Sequence, residues 1–572
     1  MGLLRFKSTL ASRFLRVFTC AALCAVVGGA TTVLATASID QLGSDIDGEA
    51  EGDNFGVRMS LSSDGTRLAV GAYNNDGAAD GAGHVRVLEF SGGSWSQLGD
   101  DIEGEAASDG FGQSVSLSSD GTIVAASALS NDGNGASAGH ARVFELSGGS
   151  WSQLGDDIDG EAESDFLGYS ISLSSDGTKL AVGAHGNDEA SNNAGHVRVF
   201  EFSGGSWSQL GDDIYGEAEN DGSGKAVSLS SDGTKLAIGA VGNDGNGSSS
   251  GHVRVFEFSG GSWTQLGDDI DGEVADDGFG ENVSLSSDGT ILAASAPYND
   301  GAGNNAGRVR VFEFSGGTWV QVGSGIDGAA ENNRLGASLS LSSDGTILAA
   351  GANGADETGT NAGRVRVYRL VAGEWTQLGD NIEGEAAFDA WGVSVSLSSD
   401  GSILAAGSLS NDGNGSSAGH ARVYSITLTT LNITYDSQGG SAVSDGDATT
   451  TSGGSISVLP ADPTREGYTF AGWFTAASDG TQITAGTAHN QTADFTLYAQ
   501  WTENPVTTTT EVPVTTTTEV AATTTTDVPS TQLLPATGSR DTSEFLTLAT
   551  VSGLLGAGVA LIVIIRRRVH PA

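Results

Sequence analysis

Asp157, Asp159 and Glu161 stand at alternate positions in the run 156–163, and variants of that run return along most of the chain. On an extended backbone alternate side chains share one side, so the spacing lines up several carboxylates. Such a row could hold a hard divalent cation, and calcium is the ion that takes oxygen ligands alone. A second oxygen-rich stretch, Asn131 Asp132 Gly133 Asn134 Gly135, has relatives beginning at Asn187, Asn243, Asn299 and Asn411. Its candidate ligands are Asp132 and Asn134. Both stretches also fit a plainer reading, and that reading is preferred. Calcium needs about six to eight converging oxygens, which linear spacing does not supply, whereas Asn or Asp before Gly forms turns without any ion.

Two nitrogen-bearing positions repeat as well. Arg86, Arg142, Arg198, Arg254, Arg310, Arg366 and Arg422 occupy one place in successive copies, in a chain with 25 basic residues against 71 acidic. Spending scarce cations this way points to a repeated structural job, namely pairing with a carboxylate or with carbonyls between neighbouring units. Two residues earlier stands His in five copies and Arg308 or Arg364 in the others. That exchange argues for a structural histidine and against a repeated metal ligand. Catalysis in a repetitive chain should show as a break in the repeat. The singular residues His185, Tyr215, Lys225 and Asn353 are dispersed, so the chain reads as a non-enzyme.

The elements that must position these groups are set by one repeated phrase. Ser-Leu-Ser-Ser-Asp-Gly begins at Ser60, Ser116, Ser172, Ser228, Ser284, Ser340 and Ser396, a period of 56 residues without insertion or deletion. Each unit holds four runs of β character, in the third unit 152–158, 169–174, 179–184 and 196–202. Asp176 Gly177 supplies the hairpin between the second and third. Both faces of the third and fourth runs are apolar, and sheets stacked radially around an axis would cover them. The expected architecture is therefore all-β: a seven-bladed β-propeller over 38–430. A Trp-x-Gln-Leu-Gly type strand follows six units but not the last, and Gln41 Leu42 Gly43 near the start matches it. The first strand should complete the seventh blade.

Phe111 Gly112 Gln113 Ser114 Val115, strand ends such as Val182 Gly183 Ala184, and Gly195 His196 Val197 Arg198 Val199 Phe200 resemble the FG-GAP repeat of integrin α-like propellers. The resemblance implies the propeller fold over 39–428. It implies calcium binding less directly, because the family's Asp-rich loop is absent and Phe gives way to Leu167, Ser223, Leu335 and Trp391.

Outside the repeats the chain reads as an exported, surface-held protein. Residues 1–37 form a signal peptide, with Arg5, Lys7, Arg13 and Arg16, an apolar stretch, and Ala35 Thr36 Ala37 for cleavage. Both cysteines, Cys20 and Cys24, lie in it, so no disulfide or thiol chemistry follows. The formal charge of −46 makes nucleic acid and anionic lipid poor partners. Residues 431–502, with Gly467 Tyr468 Thr469 Phe470 Ala471 Gly472 Trp473 and Leu497 Tyr498 Ala499 Gln500 Trp501, resemble the internalin-type B repeat (Listeria-Bacteroides repeat). Tyr468, Phe470, Trp473, Tyr498 and Trp501 are its expected core. Residues 503–533 are a disordered Thr-rich stalk.

Leu534, Pro535, Ala536, Thr537 and Gly538 (534–538) match the sortase sorting signal. An apolar run at 545–565, expected as a transmembrane helix, and a basic tail at 566–572 follow it in the required order. The resemblance implies cleavage after Thr537 and attachment to peptidoglycan, so the membrane is touched only through a transient helix. The combined expectation is a cell-wall-anchored, extracellular adhesin or ligand-binding module whose partners are sortase, peptidoglycan and a protein or glycan ligand. The alternatives are a structural surface coat or a propeller hydrolase.

Overall fold

The computed structural model describes residues 36–444 and 446–505. Nearly all of the expected signal peptide and stalk, together with the sorting motif, the transmembrane helix and the basic tail, lie outside the described residues. Within them every element is a strand.

Alternation decides the packing. In Lys179–Ala184 every residue after Lys179 is buried. Leu180 and Val182 pack against Ala141 and Val143 of the preceding sheet, while Ala181 faces Leu236 and Ile238 of the following one. Neither face could stay in water. The chain accordingly forms seven small sheets of one kind and an eighth of another.

One sheet illustrates the seven. Its strands run in the order Ile171–Leu173, Lys179–Ala184, His196–Ser203, Ser206–Gln209, with Ile214–Tyr215 also paired to His196–Ser203. This order corrects the phase expected from the repeat. With 152–158 as the first run of the third unit, the Trp207 strand is expected to open the fourth, yet it is the outer strand of the same sheet, because Gly204 and Gly205, with φ of 65° and 94°, return the chain directly. The run 152–158 likewise divides into Ser150–Gln153 and Ile158–Asp159, both paired with His140–Ser147.

The sheets close into a cycle. The Ser172 hydroxyl accepts from the Leu229 amide of the next sheet at 3.0 Å, and the same bond joins each neighbouring pair until Ser396 accepts from Leu61. A second cycle links backbones, from Ser63 N to Ser119 O around to Ser399 N and Ser63 O, each about 2.9 Å long. Gly112 shows why the neighbours tolerate no side chain there. Its φ is 94°, and a Cβ would overlap the His84 carbonyl.

The last of the seven sheets is built from both ends of this region. Ala37–Gln41 pairs antiparallel with His420–Leu428, from Ala37 opposite Leu428 to Gln41 opposite Tyr424, as the missing outer strand required. Trp95 then donates to the Leu42 carbonyl across the junction at 2.9 Å.

The eighth sheet spans Thr430–Asp436 to Phe495–Glu503 and contains one parallel pair. Its core is Ile433, Ile456, Trp473, Ile483, Leu497 and Ala499, with Phe470 and Trp501 packed on it. Tyr468 and Tyr498, expected inside, are half-buried: Tyr498 alternates with the core residues Leu497 and Ala499, and Tyr468, at the start of its strand, lies under the Arg465 guanidinium. Arg369 donates to the Ser452 carbonyl at 2.8 Å and ties this module to the sixth sheet.

Deleting 38–46 removes the outer strand of the last sheet. We expect the melting temperature of the secreted chain to fall by about 5 °C or more. An unchanged melting curve would show that closure does not depend on this strand.

Candidate functional site at the channel mouth

The innermost strands line an axial channel. At one end Leu61, Leu117, Leu173, Leu341 and Leu397 with Ser63, Ser119, Ser175, Ser343 and Ser399 enclose a cavity of about 120 Å³, and the residues are the same in each sheet. At the other end the repeat breaks. Positions related by the 56-residue step read Val57, Gln113, Tyr169, Lys225, Glu281, Ala337 and Val393, and one residue on Arg58, Ser114, Ser170, Ala226, Asn282, Ser338 and Ser394. Arg58, Tyr169, Lys225, Glu281 and Asn282 line a pocket of about 100 Å³ there.

Electrostatics couples these side chains. The Lys225 ammonium lies 4.5 Å from the centre of the Tyr169 ring. Burial works to lower the Lys225 pKa, but Glu281 and Tyr169 outweigh it and raise the pKa, so the ammonium stays charged. On the other side of Tyr169, His185 meets the ring edge-on at 4.3 Å and stacks on Phe166 at 5.5 Å. Burial, reinforced by Lys225, pushes the His185 pKa down to about 4. A neutral imidazole, an aromatic face, a fixed cation and a carboxylate thus adjoin one opening. A groove of about 290 Å³, lined by Tyr73, Asn74, Ser108, Asp109 and Ser130 among others, takes in Gln113, the counterpart of Tyr169 in the preceding copy.

His185 and Lys225, read from the sequence as unconnected, are therefore neighbours. Tyr169, Glu281, Arg58 and Asn282 were missed. The signal that could have found them is the column running Val57, Gln113, Tyr169, Lys225, Glu281, Ala337, Val393, which holds six residue types in seven copies beside columns that hardly change.

The oxygen-rich candidates are distributed differently from the expectation. Asp132 accepts from the Ser137 amide at 2.8 Å and Asn134 donates to the Gly160 carbonyl at 2.9 Å, so both shape their own loops. Asp157, Asp159 and Glu161 do not converge on one point. Asp157 joins Glu105 and His140, whereas Glu161 joins Glu189, His196 and Asp213. Asp159 belongs to neither cluster, although its carbonyl accepts from Arg198 at 2.6 Å.

That bond explains the repeated arginine. Arg198 reaches from one sheet to a carbonyl of the preceding one and also pairs with Glu161 at 3.3 Å. Arg86, Arg142, Arg254 and Arg310 make the same carbonyl bond. Arg366 departs from the pattern and donates to Asn381 instead. The repeated histidines are equally organised. His84, His140, His196, His252 and His420 each meet a glutamate and an aspartate.

Residues 432–500 match the Listeria-Bacteroides repeat domain. Over 67 residues the chain is 42% identical to internalin H of Listeria monocytogenes, a match that covers 11% of this chain and 12% of internalin H. The fold is similar to the β-propeller domain of Myceliophteria thermophila Cps50 (Swd1), with a TM-score of 0.43, 12% identity, and coverage of 66% of this chain and 98% of that one. It is also similar to the periplasmic gluconolactonase PpgL of Pseudomonas aeruginosa, with a TM-score of 0.42, 17% identity, and coverage of 61% and 97%. The chain is a repeat protein whose seven like sheets close into a cycle, and the module after them, over 432–500, is a Listeria-Bacteroides repeat domain.

Arg198→Met strands the Asp159 carbonyl and should cost about 1–3 kcal/mol, measured by denaturant unfolding; an unchanged midpoint would assign the clamp no energetic role. His185 should titrate near 4 by NMR. Because its folded pKa lies below the unfolded 6.5, its contribution to stability is complete above pH 6.5 and is lost as the pH falls through about 4. Lys225→Met should move that titration upward, and a His185 pKa of 6 or more in the parent would contradict the buried placement.

Proposed function

We propose that the chain is a cell-wall-anchored, non-catalytic surface protein that presents a seven-bladed propeller as an adhesin or ligand-binding module. The observation that carries the reading is the gathering of the symmetry-breaking residues Arg58, Tyr169, Lys225 and Glu281 at one channel mouth. A ring with only an architectural role has no use for Lys225, Tyr169 and Glu281 at positions its other copies fill with small or neutral residues. Loops 74–83, 129–139 and 186–195 surround the same face, so a ligand seated at the mouth would also meet variable side chains.

The chemistry of the mouth suits a polar ligand such as a glycan or a side chain of an extracellular protein. The Tyr169 face offers a stacking platform, and Lys225, Glu281, Arg58 and Asn282 offer donors and acceptors. The one carboxylate lining the mouth pocket, Glu281, lies opposite Lys225 rather than a second carboxylate, which favours binding over glycoside hydrolysis. Delivery follows from the sequence: export by residues 1–37, sorting at Leu534, Pro535, Ala536, Thr537 and Gly538, transient retention by 545–565, and presentation above the wall on the stalk and B repeat.

The test is a glycan array and an extracellular-matrix protein panel probed with the secreted chain. Tyr169→Ala and Lys225→Ala should each weaken a captured ligand by about tenfold or more while leaving the melting temperature within about 2 °C. Ligand capture that both variants retain in full would move the site away from the mouth, and turnover of any captured glycan would overturn the non-catalytic reading.

A further inference from the structure

We propose that Glu161, Glu189, His196 and Asp213 form a binding site for a divalent transition ion of the zinc class. One ligand atom from each lies within 4.8 Å of the others. The ligand atoms of a zinc ion held at about 2.0–2.3 Å sit roughly 3.3–3.8 Å apart, so small side-chain rotations bring the four together. An imidazole with carboxylates suits this class, whereas calcium takes oxygens alone.

The histidine is the independent observation. His196 is fully buried, and neither ring nitrogen makes a hydrogen bond. Its Nδ1 points at Asp213 Oδ2 from 3.6 Å. Burial, with Arg198 next, lowers its pKa, which keeps the ring neutral and able to coordinate. A buried imidazole aimed at carboxylates without a bond is unsatisfied until something stands between them.

The chain's own repeats supply the control. Asp101, Asp157, Asp213 and Asp269 each follow a histidine by 17 residues, and Asp45 faces His420 in the same way across the closure. Where the histidine is Arg308 or Arg364, the residue 17 on is Gly325 or Asn381. The guanidinium takes over the space, since a Cβ on Gly325 would overlap the Arg308 side chain. Arg308 then bonds Glu273 and Asp327, each at 3.3 Å. A fixed cation in two copies stands where the others offer ligands.

Glu189 marks the third sheet as the strongest site. Its equivalents are Gly77, Gly133, Gly245, Gly301, Glu357 and Gly413. The other glutamate, Glu357, is neutralised by Arg364. Glu189 has His196 in that place, so the third sheet gathers three carboxylates around a neutral ring. Arg198 holds one oxygen of Glu161 at 3.3 Å, and Tyr215 donates to Asp213 Oδ2 at 3.1 Å. These contacts orient the ligands, as outer partners do in metal sites. Tyr215, read from the sequence as unconnected, belongs here.

The test uses the full secreted chain, stripped of metal and titrated with zinc or calcium by calorimetry, with cobalt absorption as a second readout. One tight, saturable zinc equivalent that calcium does not displace is expected. Glu189→Gly copies the sister loops at an exposed position and should weaken that equivalent by about tenfold or more. His196→Arg with Asp213→Gly copies the Arg308 site and should abolish it while leaving the metal-free melting temperature unchanged. Should the double variant fail to fold, Glu189→Gly still decides. Absence of saturable zinc binding, or a zinc equivalent that Glu189→Gly leaves unaltered, overturns the site.

Discussion

Each sheet is held by a serine hydroxyl of the sheet before it. The bond from the Leu229 amide to Ser172 Oγ, repeated around the cycle and closed by Leu61 on Ser396, fixes the height of every inner strand relative to its neighbour. A closed cycle admits no cumulative error. One inserted residue would displace two bonds at once, which accounts for a period of 56 without exceptions. The glycines facing neighbouring carbonyls enforce the same spacing sterically, and the clamps from Arg198 and its relatives enforce it at larger radius.

An acidic chain pays for this closeness with very few cations, and their placement shows the priority. The arginines sit between sheets, over aromatic rings such as Phe55, Phe111 and Trp391, where a lysine would lack the planar fork and the stacking face. Many carboxylates sit in loops where water screens them, while Asp53, Asp109, Asp165, Asp221, Asp277 and Asp389 are buried, and Asp165, for one, accepts from the Asn187 side chain. Departures from that division are informative. Lys225 beside Tyr169 and Glu189 beside His196 are charges that the ring does not need, and each lies where neighbouring groups converge.

Repetition also separates what can vary. A column that bonds a neighbour in every sheet is constrained at each of its copies, whereas a column facing the channel or a loop tip is free to differ. The mouth lies in free columns and so does Glu189, whereas His196 and Asp213 have counterparts in four other copies. The eighth sheet, by contrast, needs no repeat because its core closes on itself around Trp473.

The sequence by itself determined the number of sheets, the hairpins at Asp176 Gly177 and its relatives, the need for an outer strand from the beginning of the chain, and the inter-sheet role of the arginines. These follow from alternation, turn chemistry and counting, which are local or strictly periodic. The phase of sheet against repeat was less legible, because whether Trp207 pairs backward or forward depends on the Gly204 Gly205 turn geometry. Tyr498, one of the five residues expected in the B-repeat core, faces away from it for a similar reason: aromatic character does not say which face of a strand is inward. Only the tertiary structure decided which dispersed residues meet. His185, Tyr169, Lys225 and Glu281 are up to 112 residues apart, and Glu161 reaches His196 across a sheet boundary. Closure of the ring, a property of the whole chain, sets those distances.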